Sequence, residues 1–120
     1  MYTAKVLKGD YIVNNDIGVQ IQLRLYLDGS VADLTTVTNA TLLVQMNESP
    51  QDVRRFPLSI SAPATAGLVT YTTQALDFDP TPGTPKMYPN VNARVELLFN
   101  DGSLIESYPF PMEIEAAWLT

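Results

Sequence analysis

The carboxylates of Asp77 and Asp79 have the spacing of metal ligands. Residues two apart in an extended backbone point to the same side, so both carboxylates could face one cation. Ca²⁺ would need further oxygens from Asp10, Asp16 or backbone carbonyls, and the sequence contains no complete calcium-loop pattern. The alternative is a pair of solvated acids, with Phe78 filling the interior of a sheet between them. We favour this alternative and predict no metal site and no cofactor.

Groups suited to catalysis are scarce. The 120-residue chain contains no His and no Cys, so the commonest general base and the most reactive nucleophile are both missing. A Ser–Lys or paired-carboxylate mechanism remains formally open, but no motif supports either one. We therefore predict that the protein is not an enzyme. Without Cys, neither a disulfide framework nor a thiolate metal site can form.

The charge balance narrows the choice of partner. Seven basic and thirteen acidic residues give a net charge of −6, whereas nucleic-acid binding requires a cationic surface, and Arg54-Arg55 is the only basic cluster. Residues 1–8 lack the apolar run of a signal peptide, and no segment approaches the roughly 18 apolar residues of a membrane span. We expect neither nucleic acid nor a membrane as partner, and an acidic surface suits solubility or a basic protein partner.

Aromatic side chains offer a second kind of binding site. Rings that lie on a surface can stack on the apolar faces of sugars, and the candidates for such a platform are Tyr11, Tyr26, Tyr88 and Trp118. The alternative is that the tyrosines are half-buried, with hydroxyls bonded to the backbone. Trp118-Leu119 either folds back onto the domain or contacts another chain, since an exposed apolar pair is otherwise unexplained.

The elements that must position these residues are β-strands. Residues 91–114 read as two strands around a turn at Asn100-Asp101-Gly102, the strongest short-range signal for a hairpin. One face of the first strand carries Val91, Ala93, Val95, Leu97 and Phe99. We expect the second strand to place on one face Leu104, Tyr108, Phe110, Met112 and Ile114. A lone hairpin is marginally stable in water, so further sheet must cover this apolar surface.

Alternation of apolar and polar residues recurs along the rest of the chain. It is strict in residues 17–27 and predicts another strand in residues 40–47, with Ala40, Leu42, Val44 and Met46 inward, and weaker strand signals occur in residues 1–8, 53–61 and 68–73. Residues 75–89 contain too many prolines for a helix and predict an extended loop, either a passive connection or a preordered contact arm. The pattern predicts an all-β protein: one domain over residues 1–120, folded as an antiparallel β-sandwich of about seven to eight strands.

Five segments together resemble a group of bacteriophage virion domains: LKGD at residues 7–10, DG at 28–29, ADLT at 32–35, GLVTYT at 67–72 and NDGS at 100–103. In this order they are similar to the immunoglobulin-like domain at the N-terminus of phage baseplate upper proteins and of related tail or fibre components. The resemblance spans nearly the whole chain. It implies an immunoglobulin-like sandwich.

The resemblance also implies a role. The protein would be a structural or assembly component of a tailed-phage virion, as a baseplate, tail, fibre-attachment or capsid-decoration module. Its partners would be other virion proteins, in a homo-oligomer or another multi-copy assembly put together in the cytoplasm of the bacterial host. The alternative function is a carbohydrate-binding sandwich used in host attachment.

A module of this kind acts through its surfaces. We expect subunit contacts at the edge of the first strand, on the proline-rich loop and at the C-terminus, with the arginine pair facing acidic neighbours. The candidate contact residues are Tyr2, Arg54, Arg55, Pro82, Pro85, Tyr88, Trp118 and Leu119.

Overall fold

The computed structural model describes residues 1–9, 11–13, 17–48, 51–74, 77–78 and 88–115, with backbone alone for residues 13, 47–48, 51, 88–90 and 115. The strands are β1 Tyr2–Lys8, β2 Tyr11–Val13, β3 Gln20–Leu27, β4 Ser30–Val31, β5 Val37–Glu48, β6 Gln51–Ile60, β7 Leu68–Thr72, β8 Tyr88–Phe99, β9 Leu104–Glu106 and β10 Phe110–Glu115. One 3-10 turn, Ala64–Ala66, precedes β7. Within the described ranges, no helix has the length and apolar character needed to cross a membrane.

The strands form two layers joined through β6. Strands β1, β3 and β7 make the first sheet, with β4 on the end of β3, while β5, β8, β10 and β2 make the second, with β9 beside β8. Strand β6 pairs with β5 along most of its length and with β7 only at Ser59 and Ile60.

The order of the strands identifies the fold. In immunoglobulin-like sandwiches the first, second, fifth and fourth strands form one sheet, and the third, sixth and seventh form the other. Here β1-β3-β7-β6 and β5-β8-β10 follow that order. The fold is an immunoglobulin-like β-sandwich, which confirms the predicted class.

Two details of the sandwich differ from the prediction. The described residues form ten strands rather than seven to eight. The additional strands β2, β4 and β9 are only two or three residues long, which is too short to give a clear alternation in the sequence. The pairing is also not wholly antiparallel. The chain leaves the first sheet after β1 and enters the second as β2, which runs parallel to β10 with Ile12 opposite Ile114.

The predicted single strand over residues 104–114 is wrong. It is broken at residues 107–109, between β9 and β10, which pair with successive parts of β8. At the break Ser107 is buried, its Oγ accepts a hydrogen bond from the Val95 N–H (2.9 Å), and Tyr108 is 54% exposed. Leu104, before the break, is also exposed. Leu104 and Tyr108 therefore face solvent, and not the core side on which the prediction placed them together with Phe110.

The core lies between the layers and follows the alternation in the sequence. The buried positions of β3 face those of β5 and β8, since period-2 alternation sends every second side chain inward. The fully or nearly fully buried residues of these three strands are Ile21, Leu23, Leu25, Ala40, Leu42, Val44, Met46, Val91, Ala93, Val95 and Leu97. Phe78 is also buried, with its ring centroid 5.1 Å from that of Phe56. The predicted interior position of Phe78 is therefore confirmed.

A glycine turn sets β7 against β3. Gly67 has φ +66°, and a Cβ at this position would lie 2.9 Å from the carbonyl oxygen of Leu25. The Leu25 N–H donates to the Gly67 carbonyl at 2.8 Å. A side chain at residue 67 would disturb this backbone contact and strain the turn, so glycine fixes where β7 begins.

Candidate interaction surfaces

The predicted contact residues do not form one surface. Pro82, Pro85, Trp118 and Leu119 lie outside the described residues, and of Tyr88 only the backbone, at the start of β8, is described. Tyr2 begins β1 in the first sheet, whereas Arg54 and Arg55 are neighbours on β6 and point to opposite sides of that strand.

Tyr2 takes part in contacts within the chain. Its ring lies 6.1 Å from that of Phe99, and its carbonyl oxygen accepts a hydrogen bond from the Tyr108 N–H at 3.0 Å. These contacts connect the start of β1 to the break between β9 and β10. At this end of the molecule the first sheet therefore closes against the edge of the second.

Arg54 holds a segment of the chain in place. Its Nη1 donates to the Asp77 carbonyl oxygen at 2.7 Å, and its Nη2 donates to Asp52 Oδ2 at 2.9 Å. Arg54 and Asp52 are each only 20% exposed, so the pair is partly shielded from water. Arg54 thus ties β6 to the segment that carries Phe78.

The side chain of Asp77, the described half of the candidate metal pair, is engaged in the same region. Its Oδ2 accepts hydrogen bonds from the Tyr71 hydroxyl (2.6 Å) and the Gln74 N–H (2.7 Å). Burial, followed by the hydrogen bond and the charge of Asp77, raises the pKa of Tyr71 well above its ordinary value. Asp79 lies outside the described residues, and the described ones form no group of three acidic residues placed to hold a metal ion.

We call the outer side of the second sheet the paired face, because its outward arginines have acidic partners. Arg55 Nη2 lies 2.7 Å from Glu96 Oε1, and Arg94 Nη1 lies 3.5 Å from Glu106 Oε2. Leu43 lies opposite Arg55 and Arg94 in the sheet and is only 8% exposed, although it is outside the main core. Beside it is a shallow cavity of about 190 Å³, lined by Leu43, Gln45, Val53, Asn92, Arg94 and Glu106.

We call the outer side of the first sheet the cationic face. Strands β1, β3 and β7 contain Lys5, Lys8 and Arg24 and no acidic residue. Lys5 lies directly opposite Arg24, and a bulge at Leu7 brings Lys8 opposite Gln22 on the same side. Strict alternation from Lys5 would have turned Lys8 inward.

The cations of this face lack partners within the described residues. No ion pair to a described acid involves Lys5, Lys8 or Arg24. The Nε atom of Arg24 is buried and has no hydrogen-bond partner there. Like charges opposite each other in an antiparallel pair are destabilising, so the described residues leave the charges of the cationic face unbalanced.

A third surface follows the free side of β9, and we call it the β9 edge. It consists of Leu104, Ile105 and Tyr108, which are 59%, 39% and 54% exposed. Strand β9 pairs with β8 on one side, and no pairing to another described strand covers its opposite side. The β9 edge combines exposed apolar side chains with an unpaired side of β9, and beyond β9 the Tyr108 N–H donates to the Tyr2 carbonyl of β1.

We call the loop region that carries Asp33 and Asp101 the acidic end. The two loops are tied together, since the Asn100 N–H donates to the Thr36 carbonyl at 2.8 Å and the Thr38 hydroxyl donates to Asn100 Oδ1 at 2.7 Å. Asp33 accepts from the Thr35 hydroxyl and N–H, and Asp101 accepts from the Ser103 N–H at 2.8 Å. Hydrogen bonds from Thr35 and from Ser103 lower the pKa of the respective carboxyl groups.

The described tyrosines of the proposed sugar platform lie apart. Tyr26 is on the cationic face and Tyr11 is in β2 at the other side of the sandwich. The ring contacts among the described residues involve Tyr2, Tyr71 and phenylalanines instead. Tyr88 and Trp118 contribute no described side chain, so glycan binding stays a prediction.

The residues that sequence reasoning missed are Lys5, Lys8 and Arg24. The outward positions of Lys5 and Arg24 could be read from the alternation in residues 1–8 and 17–27. The register that places Lys5 opposite Arg24, and the bulge that turns Lys8 outward, could not. Both depend on how two separate strands meet.

Comparison with known proteins adds little. No family model matches the chain, and neither does any curated protein. Among solved structures, CopC from Methylosinus trichosporium OB3b is similar, with 10% sequence identity, coverage of 98% of each chain and a TM-score of 0.47. A match at this level carries no conclusion about this chain.

Proposed function

We propose that this protein is a structural or assembly module of a tailed-phage virion that works through protein–protein contacts. The sequence resemblance supplies the setting, and the β9 edge is the observation that supports contact as the mode of action. A module of this kind needs surfaces that are incomplete in the isolated chain. The β9 edge has this property at Leu104 and Ile105, because their side chains are exposed and no described strand pairs with the free side of β9.

The physical argument concerns the open side of a sheet. Natural proteins usually protect such an edge with charges, proline or a covering segment, because an unprotected edge pairs with other chains. Pro109 lies in the break and Pro111 lies in β10, whereas β9 contains no proline and exposes Leu104 and Ile105 beside the single charge of Glu106. Contiguous exposed apolar residues mark sites of protein contact. The β9 edge therefore suits docking of an extended segment of a neighbouring subunit.

Co-expression tests this function directly. The protein would be produced together with the products of the genes that flank its own, and complexes would be identified by size-exclusion chromatography with light scattering and by electron microscopy. We expect the chain to enter a stable complex with particle proteins. Failure to join any complex with them would contradict the proposed function.

Variants locate the contact. Leu104→Lys places a charge on the β9 edge and should weaken binding at least tenfold, because it desolvates an unpaired ammonium group in the interface. Ile17→Lys is the matched control, since Ile17 is 68% exposed and lies outside the β9 edge. Equal binding by both variants would remove the β9 edge as the contact surface.

A further inference from the structure

We propose that the cationic face of one copy of this chain binds the acidic end of a second copy, in a contact that repeats from copy to copy. The inference rests on the proposed role in assembly and names the chain itself as one of its own partners. It uses surfaces other than the β9 edge.

The cationic face calls for negative charge from beyond the described residues. Lys5 and Arg24 oppose each other without a described acidic neighbour, and strands β1, β3 and β7 contain no acid. The Nε atom of Arg24 is buried within the chain, so a carboxylate from a second copy would meet the Nη groups of this guanidinium rather than Nε. A hydrogen bond between two charged groups of this kind is stronger than one between neutral groups.

The acidic end offers carboxylates in a fixed arrangement. Asp33 and Asp101 are exposed, and the hydrogen bonds between their loops hold the two segments together. Hydrogen bonds to residues two positions ahead orient each carboxylate. Each of these two carboxylates therefore loses little side-chain freedom on binding, which lowers the entropic cost of association.

The two surfaces lie on different parts of one domain. The acidic end includes the loop before β5 and the turn after β8, whereas the cationic face is the flank formed by β1, β3 and β7. A patch that complements a different patch of an identical chain makes a heterologous contact, which continues as a filament or closes as a ring. Such growth suits a multi-copy assembly.

Overall charge favours this partner over nucleic acid. The net charge of −6 repels a long polyanion. Two copies also repel each other at long range, but at 0.15 M salt the screening length is about 8 Å, so the facing charges dominate the contact. The contact should accordingly weaken when salt is raised to about 0.5 M, where the screening length falls further.

Charge exchange between two variants tests the proposal. The first variant reverses the cationic face with Lys5→Glu and Arg24→Glu, and the second reverses the acidic end with Asp33→Lys and Asp101→Lys. Sedimentation velocity would be measured on wild type, on each variant alone and on their equimolar mixture, after thermal melts have shown that each is folded. We expect wild type to associate and each variant alone to associate at least tenfold more weakly.

The mixture gives the decisive result. Each variant then meets a complementary surface on the other, so mixing should restore association in alternating order. If either double variant fails to fold, Arg24→Gln and Asp33→Asn replace them, and each should weaken association severalfold. A monomeric wild type at several hundred micromolar, undiminished association of the variants or a mixture that stays monomeric would overturn the proposal.

Further outcomes separate this inference from the proposed function. Loss of self-association in Leu104→Lys, with no effect of the charge reversals, would overturn the inference and support contact through the β9 edge. A monomeric wild type that joins the particle complex would overturn the inference and support the proposed function. Binding of a polyglutamate peptide through Lys5 and Arg24 by a monomeric wild type would assign the face to another acidic protein, and overturn the second-copy proposal.

Discussion

On the paired face, Arg55 has an acidic partner on β8, across β5, and Arg94 has one on the neighbouring β9. On the cationic face, Lys5 and Arg24 oppose each other with no acidic partner among the described residues. The first arrangement neutralises itself within one chain. The second leaves a repulsion that only something outside the described residues can relieve. The contrast indicates that the paired face contributes to the stability of the fold, whereas the cationic face gives up some stability and remains available for contact.

The largest expected effect concerns the apolar residues beneath each face. Leu43→Ala on the paired face should lower the free energy of unfolding by about 2–3 kcal/mol, because it removes a buried side chain and leaves a cavity. Leu68→Ala, beside Arg24 on the cationic face and only partly buried, should cost about 1 kcal/mol. Urea denaturation measures both, and equal losses would show that the faces are packed alike.

An intermediate loss of stability is expected from the hydrogen bond between Tyr71 on β7 and Asp77. Tyr71→Phe removes the hydrogen bond to Asp77 and should cost about 1 kcal/mol at neutral pH. Because the pKa of Tyr71 is raised in the folded chain, its contribution is fully present below the ordinary tyrosine pKa of about 10 and is lost as pH rises beyond that value. Denaturation at neutral pH and above pH 10 should show the difference shrinking.

Tyr108→Phe is the control for that measurement. Tyr108 is 54% exposed, and its hydroxyl makes no hydrogen bond with a described residue. Its replacement should leave stability nearly unchanged at either pH. A pH-independent loss in Tyr71→Phe would contradict the role of its hydroxyl proton.

A smaller loss is expected from the ion pair on the paired face. Glu96→Gln removes the partner of Arg55 and should cost about 0.5 kcal/mol, a value kept low because Arg55 is 59% exposed and solvent screens the pair. Glu113→Gln, at an exposed position with no ion pair to a described residue, should cost nothing measurable. No difference between the two variants would mean that the pair contributes nothing to stability.

The smallest effect should have the opposite sign. Arg24→Gln removes one of two opposed cations, so the isolated chain should gain about 0.3 kcal/mol. The gain should disappear near 0.5 M salt, where charges on a surface are screened. If Arg24→Gln instead lowered stability at low salt, the opposed cations of the cationic face would not be destabilising, and the two faces would not differ in this respect.

Local patterns predicted most of the fold. Residues 91–99 alternate strictly and lie in β8 with the expected inward face, and the turn before Gly102 is where the hairpin bends. In residues 17–27 the inward positions of Ile21, Leu23 and Leu25 are confirmed, but β3 begins only at residue 20, and Ile17 and Leu27 are exposed. The break at residues 107–109 was missed because Leu104 and Tyr108 have apolar side chains that suited an inward face. Pro109 was a signal against a continuous strand, since proline cannot donate to a ladder.

The candidate surfaces were harder to predict. Arg55 could be chosen from the sequence as a surface cation, but its pairing with Glu96 depends on contact between β6 and β8 across β5. The cationic face depends likewise on the register between β1 and β3. Such neighbours are far apart along the chain, and a shift of one residue would separate them.

Strand β6 and the segment from β1 to β2 each take part in both layers. Because each of these segments connects the two layers, a peptide inserted in either segment would disrupt both layers. The turn beside Gly102 is a better place for an inserted epitope, because residues 101–103 are exposed, provided that Gly102 itself, with φ +88°, is kept. A display scaffold built from this chain should therefore carry its cargo at that turn and melt as a single unit.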